Sequence, residues 1–196
     1  MHADVKWIIL SYKVPAEPST LRVRIWRTLK ALGVVYIQQS VCVAPQTQEV
    51  AKKIEALQKM ITANSGEALL LEVERFADGT EKELRKLFNK QRVAELEEFL
   101  GGCRLFLQEI ESETSKGNFS YHEVEENEAD LAKLKRWHKK IAKRDFFGCP
   151  LLGESKRQLE QCELTFDAFM HQVYATEGSA EGKIHLDGII ASRNDE

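Results

Sequence analysis

Four basic side chains lie close together in residues 19–30 (STLRVRIWRTLK), a segment that contains no acidic residue. They are Arg22, Arg24, Arg27 and Lys30. The segment begins at Ser19 and follows an apolar run, WIILSYK, that ends at Lys13. Backbone amides at the first turn of a helix attract anions, and a guanidinium group matches the oxygens of a tetrahedral anion. These residue types therefore predict an anion-binding platform, with the phosphate backbone of DNA or a tetrahedral oxyanion as its ligand.

The spacing of the apolar residues predicts which side chains of this segment face the solvent. An apolar side chain recurs every three or four residues and forms the inner face of a helix: Leu21, Ile25, Leu29 and Leu32. Arg27 and Lys30 then point outward, with Arg22 and Arg24 on the two flanks. Trp26 lies four residues after Arg22, which predicts a cation–π contact of about 0.5–1 kcal/mol. The alternative interpretation is that the basic face is only solvated, or is paired with acids of the helical region.

A second basic cluster lies in residues 133–144, KLKRWHKKIAKR. Helical spacing there predicts a basic outer face formed by Lys135, Arg136, Lys139, Lys140 and Lys143. A helix that follows the groove of a nucleic acid has this character. The same helix begins with acidic residues from Glu123 to Asp130, and the helix dipole favours acids at the start and bases at the end without any partner. Both interpretations remain open.

The residues that could support catalysis are poorly placed for it. The four cysteines, Cys42, Cys103, Cys149 and Cys162, have no spacing typical of metal ligands and are predicted to be reduced packing residues. His138 lies on an apolar stripe, which favours a packing role. A nuclease of the Cas2 type would carry an acidic metal ligand near the end of its first strand, where this chain has Ser11, Tyr12 and Lys13. We therefore expect no catalytic residue, no metal site and no cofactor.

The elements around the first basic cluster predict an α+β fold. Strand-like segments cover about residues 6–13, 34–44 and 67–76, and helices cover 19–32 and 47–63. Gln38, Gln39 and Ser40 interrupt the middle segment as a bend or hairpin would. The order β-α-β(β)-α-β is that of a ferredoxin-like (split βαβ) sheet with both helices on one face. We assign this domain to residues 1–78 and expect the opposite face of the sheet to be free for a partner.

The remainder of the chain is predicted to be helical. Residues 79–176 form a second domain, which begins with a capping box at Thr80 and Glu83 and continues through a kink at Gly101–Gly102. Residues 177–196 form a flexible tail, in which Ile184–Ile190 has the pattern of a short strand. No signal peptide or membrane span is visible, which favours the cytoplasm. The net charge of -3 gives no overall attraction to nucleic acid, so such binding requires local clusters of basic residues.

Several of these segments resemble the N-terminal domain of ChrB, the chromate-resistance regulatory protein. The likeness lies in residues 7–45, in EALLLEVERF, in LFNKQRVAELEEFL and in LAKLKRWHKKIAKRDFFGCPLLG. Its most specific part is the block from Ser19 to Gly33, SxxRVxxWRxLxxLG. The first part is also similar to the Cas2-like module of PaaX-type repressors. Full-length ChrB proteins carry a second, C-terminal domain, of which this sequence shows no sign, and it has no helix-turn-helix signature.

The resemblance implies a cytoplasmic, chromate-responsive transcriptional regulator that forms a homodimer and acts on chromate-efflux genes. It nominates five residues for contact with DNA or chromate: Lys13, Ser19, Arg22, Arg24 and Arg27. One alternative is a non-catalytic, homo-oligomeric interaction scaffold whose basic helices are only solvated faces. A third is a small enzyme acting on oxyanions or nucleic acid, which the missing acidic metal site disfavours.

Overall fold

The computed structural model describes residues 5–17 and 19–191 of the chain, with side chains as far as residue 176. Four strands and two helices come first, and three long helices follow. In chain order the elements are β1 (Trp7–Lys13), α1 (Ser19–Leu32), β2 (Val35–Gln38), β3 (Val41–Pro45), α2 (Gln48–Ala63), β4 (Glu67–Val73), α3 (Asp78–Lys116), α4 (Tyr121–Ala142) and α5 (Leu152–Ala191).

The strands form one antiparallel sheet in the order β2-β3-β1-β4. Because β3 lies between β1 and β2, this is the split βαβ arrangement, and the predicted ferredoxin-like α+β class followed by an all-helical region is confirmed. Trp7 in the central strand is opposite Pro45 of β3 and Val73 of β4. The register shifts between Tyr36 and Gln38, next to the hairpin that the sequence predicted.

The chain divides into two compact units, and the division falls inside α3. The first unit runs to Val93 and includes Ala142–Cys149, and the second comprises Ala94–Ile141 and the chain from Pro150 onward. A compact unit is a pattern of contacts, whereas a domain has its own core and can fold alone. The domains assigned from sequence, 1–78, 79–176 and 177–196, therefore stay predictions.

The helix-covered face of the sheet holds the main core of the first unit. Leu21, Ile25, Leu29 and Leu32 of α1 are all buried there, as the helical spacing predicted. They pack together with Val50, Ile54, Leu57 and Ile61 of α2 and with Ile8 and Leu10 of β1. Helix α2 begins after Thr47, whose hydroxyl accepts a hydrogen bond from the Val50 amide at 3.2 Å. Both helices therefore lie on one face of the sheet, as expected.

The opposite face of the sheet is covered at one end. Trp7 is fully buried there, and its ring lies 6.0 Å from that of Phe88 in α3 and 5.6 Å from that of Phe147. Phe88 and Phe147 themselves meet edge to face at 5.3 Å. The expectation that this face is free is therefore wrong at the Trp7 end. Farther along β4, Leu69 and Leu71 remain 58% and 43% exposed.

The helical part of the chain differs from the sequence prediction in two places. Helix α3 begins at Asp78, so Gly79 lies inside the helix and Thr80 is not its cap. The same helix continues through Gly101 and Gly102, as predicted, and the kink there stays a prediction. Ile184–Ile190 belongs to α5, so the short strand predicted there is wrong. Residues 192–196 of the predicted tail lie outside the described residues.

All four cysteines are buried, free thiols. Burial raises the pKa of the Cys42 thiol to about 12, because the thiolate loses its hydration. The prediction that all four cysteines are packing residues is confirmed. In the part of the chain that the structure describes, no three His, Cys, Asp or Glu side chains are grouped closely enough to hold a metal ion.

Candidate anion-binding site

Helix α1 presents its basic residues to the solvent. Arg22, Arg24, Arg27 and Lys30 are all exposed, while the opposite side of the helix is buried in the core. Among the described residues, none of these four side chains forms an ion pair with a carboxylate. Their charges are therefore not neutralised within the described part of the chain. The structure thus brings together the four basic residues that the sequence placed on this helix.

Trp26 lies within this basic surface and is 48% exposed. The cation that covers its ring is Lys30, with Nζ 5.1 Å from the ring centroid. The sequence predicted Arg22, four residues before Trp26, in this role, whereas Lys30 lies four residues after Trp26. Arg22 is exposed to the solvent. A cation–π contact at an exposed site contributes about 0.5–1 kcal/mol.

The N-terminus of α1 is free of acidic residues in its first turn. Ser19 is the first residue of the helix, and the residue before it lies outside the described residues. Lys13 is exposed at the end of β1, where the chain leaves the sheet toward α1. In the register of β1 and β4, Lys13 is opposite Glu67. A carboxylate on the neighbouring strand therefore offsets part of the charge that Lys13 would offer an anion.

The positions of the arginines around α1 limit the kind of anion that they can bind. Arg22 and Arg24 are two residues apart, which places them about 200° from each other around the helix axis. They cannot both contact one small ion. Arg27 and Lys30 lie on the outer face between them. The surface suits an extended polyanion, whose charges are spread along a strand, better than a single tetrahedral ion.

The C-terminus of α1 is held by Arg144, a residue that the sequence had placed at the end of a helix. Nη1 of Arg144 donates a hydrogen bond of 3.2 Å to the carbonyl oxygen of Lys30. A cation at this end interacts favourably with the helix dipole. Gly33 ends the helix with φ +72, and a Cβ there would lie 2.9 Å from Cβ of Arg144. The turn after α1 therefore requires glycine for two reasons: the positive φ, and the lack of room for a Cβ beside Arg144.

Replacing Gly33 by alanine is expected to destabilise the protein by about 1–3 kcal/mol, because a side chain at positive φ is strained and this one would displace Arg144. The measurement is urea unfolding followed by circular dichroism. Gly79→Ala is the matched control, since Gly79 lies in a helix with nothing within 4 Å of an added Cβ. That control should be neutral or slightly stabilising. Equal losses in the two variants would contradict the role assigned to Gly33.

The second basic cluster is divided by the structure. Lys135 forms an ion pair of 2.6 Å with Glu163 of α5. Lys143 lies beyond the end of α4 and forms an ion pair of 2.7 Å with Glu49 at the start of α2. Hydrogen bonds from Lys143 and Lys53 lower the pKa of the Glu49 carboxyl to about 2. Arg136, Lys139 and Lys140 are exposed, and the described residues offer them no ion pair.

His138 has a structural environment. Its Nε2 lies 3.0 Å from Oγ of Ser155, and its ring is 5.1 Å from that of Phe99. Burial and the nearby positive charge of Lys156 lower its pKa, which keeps the ring neutral near pH 7. The prediction of a packing histidine is confirmed. Among the described residues, no helix has both the length and the apolar composition that a membrane span requires.

Fold and surface together define an α+β protein with a ferredoxin-like sheet, a basic helix beside it and a helical region after it. The model of the family described as "Protein ChrB, N-terminal" matches residues 22–180, and the chain belongs to that family. It is also 26% identical over 148 residues to Protein ChrB of Cupriavidus metallidurans. That alignment covers 74% of this chain and 41% of the relative, so the chain spans about two-fifths of the relative's length.

Proposed function

We propose that this protein is a non-catalytic, cytoplasmic regulator associated with chromate resistance, and that it binds DNA through the exposed face of α1. The observation that carries the proposal is the group of four exposed basic residues, Arg22, Arg24, Arg27 and Lys30, which have no ion pair among the described residues. Membership of the ChrB family supplies the biological setting. The overall charge of -3 opposes a polyanion, so the attraction must come from this local surface.

A phosphate backbone fits α1 better than a small ion does. The arginines lie on both flanks of the helix, as phosphates lie on both sides of a DNA groove. Val23 and Trp26 are 42% and 48% exposed between them and provide apolar contact area. No acidic residue lies in the first turn, so the helix N-terminus can also face a phosphate, with Glu17, two residues before the helix, as the carboxylate nearest in sequence.

The test is binding to a labelled DNA fragment from the promoter region of a chromate-efflux gene, measured by fluorescence anisotropy over a series of salt concentrations. Three to four phosphate contacts predict that the logarithm of the binding constant falls with the logarithm of salt concentration with a slope of about -3 to -4. Arg22→Ala/Arg27→Ala should reduce the slope by about two. The control is Lys52→Ala/Lys59→Ala, which removes two exposed lysines from α2 and should leave the slope unchanged. Binding without salt dependence would contradict the proposal.

The protein is further proposed to be a homodimer. Leu69 and Leu71 are exposed on β4, which is an edge strand of the sheet, and Ile37 is 44% exposed on β2 at the other edge. Exposed apolar residues on an unpaired edge favour association with another chain. The same observation favours the second candidate, an interaction scaffold. A scaffold would show a stable oligomer in light scattering and no affinity for DNA.

Direct recognition of chromate at the N-terminus of α1 is a narrower version of the proposal, in which Ser19, Arg22 and Lys13 contact the dianion. It is tested by following the indole N–H signal of Trp26 in NMR spectra during titration with chromate and with sulfate. A saturable shift that Arg22→Ala abolishes is expected for an oxyanion site. If neither chromate nor sulfate shifts the Trp26 signal, α1 has no oxyanion site and DNA is the one ligand still proposed for it.

A further inference from the structure

A groove between α3 and α4 lies within the second compact unit and plays no part in the function proposed above. Its volume is about 510 Å³, within the range of small-molecule sites. The floor is apolar and is formed by Phe106, Leu134 and Trp137. Leu105 stands at its edge and is 68% exposed. A groove of this size with an apolar floor can cover the hydrophobic part of a small ligand.

Gly102 allows α3 and α4 to pack closely at the floor of the groove. A Cβ at this position would lie 3.2 Å from the ring of Trp137 and 3.3 Å from Leu134. The glycine thus lets the indole lie against the backbone of α3. The Trp137 indole also packs against Phe99, and the two rings meet edge to face with their centroids 5.6 Å apart. The sequence predicted a kink at this glycine, and its role in the structure is close packing between two helices.

The walls of the groove are acidic. Four carboxylates line it, Glu109 from α3 and Glu123, Glu126 and Asp130 from α4, against one cation, Lys133, which is bound to Asp130 at 2.6 Å. Glu126 lies three residues from Glu123 and four from Asp130, and like charges at these spacings destabilise a helix. The helix dipole accounts for an acid in the first turn only. A positive charge in the groove would relieve this repulsion.

Asn127 gives the groove a hydrogen-bonding group that is not part of the acidic cluster. Its side chain is 4% exposed, and it lines the groove. Its Nδ2 donates a hydrogen bond of 2.9 Å to the carbonyl oxygen of Glu123, which fixes the amide because a carbonyl can only accept. Oδ1 is therefore the remaining acceptor, and among the described residues no hydrogen bond to it is found. An accessible acceptor of this kind on a mostly buried side chain is suited to an N–H donor from a ligand.

We infer that this groove binds a small amphipathic organic cation, with its apolar body on Trp137 and Phe106 and its ammonium group between Asn127 and the carboxylates. The apolar floor explains the preference for an aromatic or aliphatic body. The charge of the walls excludes anions and makes a neutral analogue of the same shape a poorer ligand. The site differs from the surface of α1 in both position and sign of charge.

Three probes of matched shape test the inference: 4-phenylbutylamine, 4-phenylbutanol and 4-phenylbutanoate. Binding is followed on the full chain by the indole N–H signals of Trp7, Trp26 and Trp137 in NMR spectra, assigned with Trp26→Phe and Trp137→Phe. The amine should shift the Trp137 signal saturably and bind about tenfold more tightly than the alcohol, since one favourable charge interaction of this size corresponds to that ratio. The carboxylate should cause no shift.

Matched charge variants separate this site from a general attraction of cations to α4. Glu126→Gln/Asp130→Asn removes two charges from the groove and should weaken binding of the amine about fivefold to tenfold. Glu125→Gln/Glu128→Gln removes two charges from the same helix outside the groove lining and should leave binding unchanged. Equal binding of all three probes, equal effects of both double variants, or no shift of Trp137 would each overturn the inference.

Discussion

Replacing Arg22, Arg24, Arg27 and Lys30 together by alanine is expected to weaken DNA binding by about two to three orders of magnitude at physiological salt. Each of these side chains is exposed, and none is neutralised by an ion pair among the described residues. Each charge that contacts a phosphate releases a counterion, and its removal lowers the slope of affinity against salt by about one. The quadruple variant should therefore lose both its affinity and almost all of its salt dependence.

The matched control removes the basic residues of the second cluster that have no ion pair in the described chain, by the change Arg136→Ala/Lys139→Ala/Lys140→Ala. These residues lie on α4, in the second compact unit. If α1 is the DNA-binding element, this triple variant keeps most of the affinity. If the triple variant loses as much as the quadruple one, the binding surface is not confined to α1. We expect circular dichroism to show that both variants keep the fold, since all the altered side chains are exposed.

Replacing Trp7 by alanine is expected to lower the free energy of unfolding by about 3–5 kcal/mol. The change removes the largest fully buried side chain of the sheet and leaves a cavity. The ring is in contact with Phe76 at 5.7 Å, and with Phe88 and Phe147. All of these lose packing partners when the indole is removed. Urea unfolding followed by circular dichroism measures the loss.

Trp7→Phe distinguishes packing from hydrogen bonding. The indole N–H of Trp7 is buried and donates no hydrogen bond within the described chain. Phenylalanine therefore removes volume without removing a hydrogen bond, and the expected cost is about 1–2 kcal/mol. A cost as large as that of Trp7→Ala would show that the N–H has an acceptor and that the packing explanation is wrong.

Local pattern was enough to predict the elements of the first unit. The apolar spacing of α1 assigned four residues to the core, and all four are buried. The helix was predicted to end at residue 32, and Gly33, which follows it, has the positive φ typical of a residue after a helix. The strands and helices alternate in an order that few sheet topologies accommodate, which is why the split βαβ arrangement followed from it. Periodicity is a property of neighbouring residues, so the chain alone contains it.

The elements that were mispredicted are those in which distant residues override a local signal. Asp78–Gly79 has the composition of a turn, yet it forms the start of α3. One end of the sheet face that was expected to be free is covered by Phe88 and by Phe147. Phe147 is far from β1 in the sequence, and nothing in its neighbours indicates where its ring is buried. Such contacts depend on the path of the chain through the tertiary structure.

For the candidate site, the sequence by itself determined that α1 is basic, amphipathic and exposed on its outer side. Only the tertiary structure decided which charges are neutralised. Lys143 is bound to Glu49 and Lys135 to Glu163, whereas the basic residues of α1 have no ion pair in the described chain. Likewise, the groove of Gly102 and Trp137 exists because two helices pack closely, which no local pattern of either helix shows. Helical spacing fixes which residues share a face, but packing between elements fixes what that face meets.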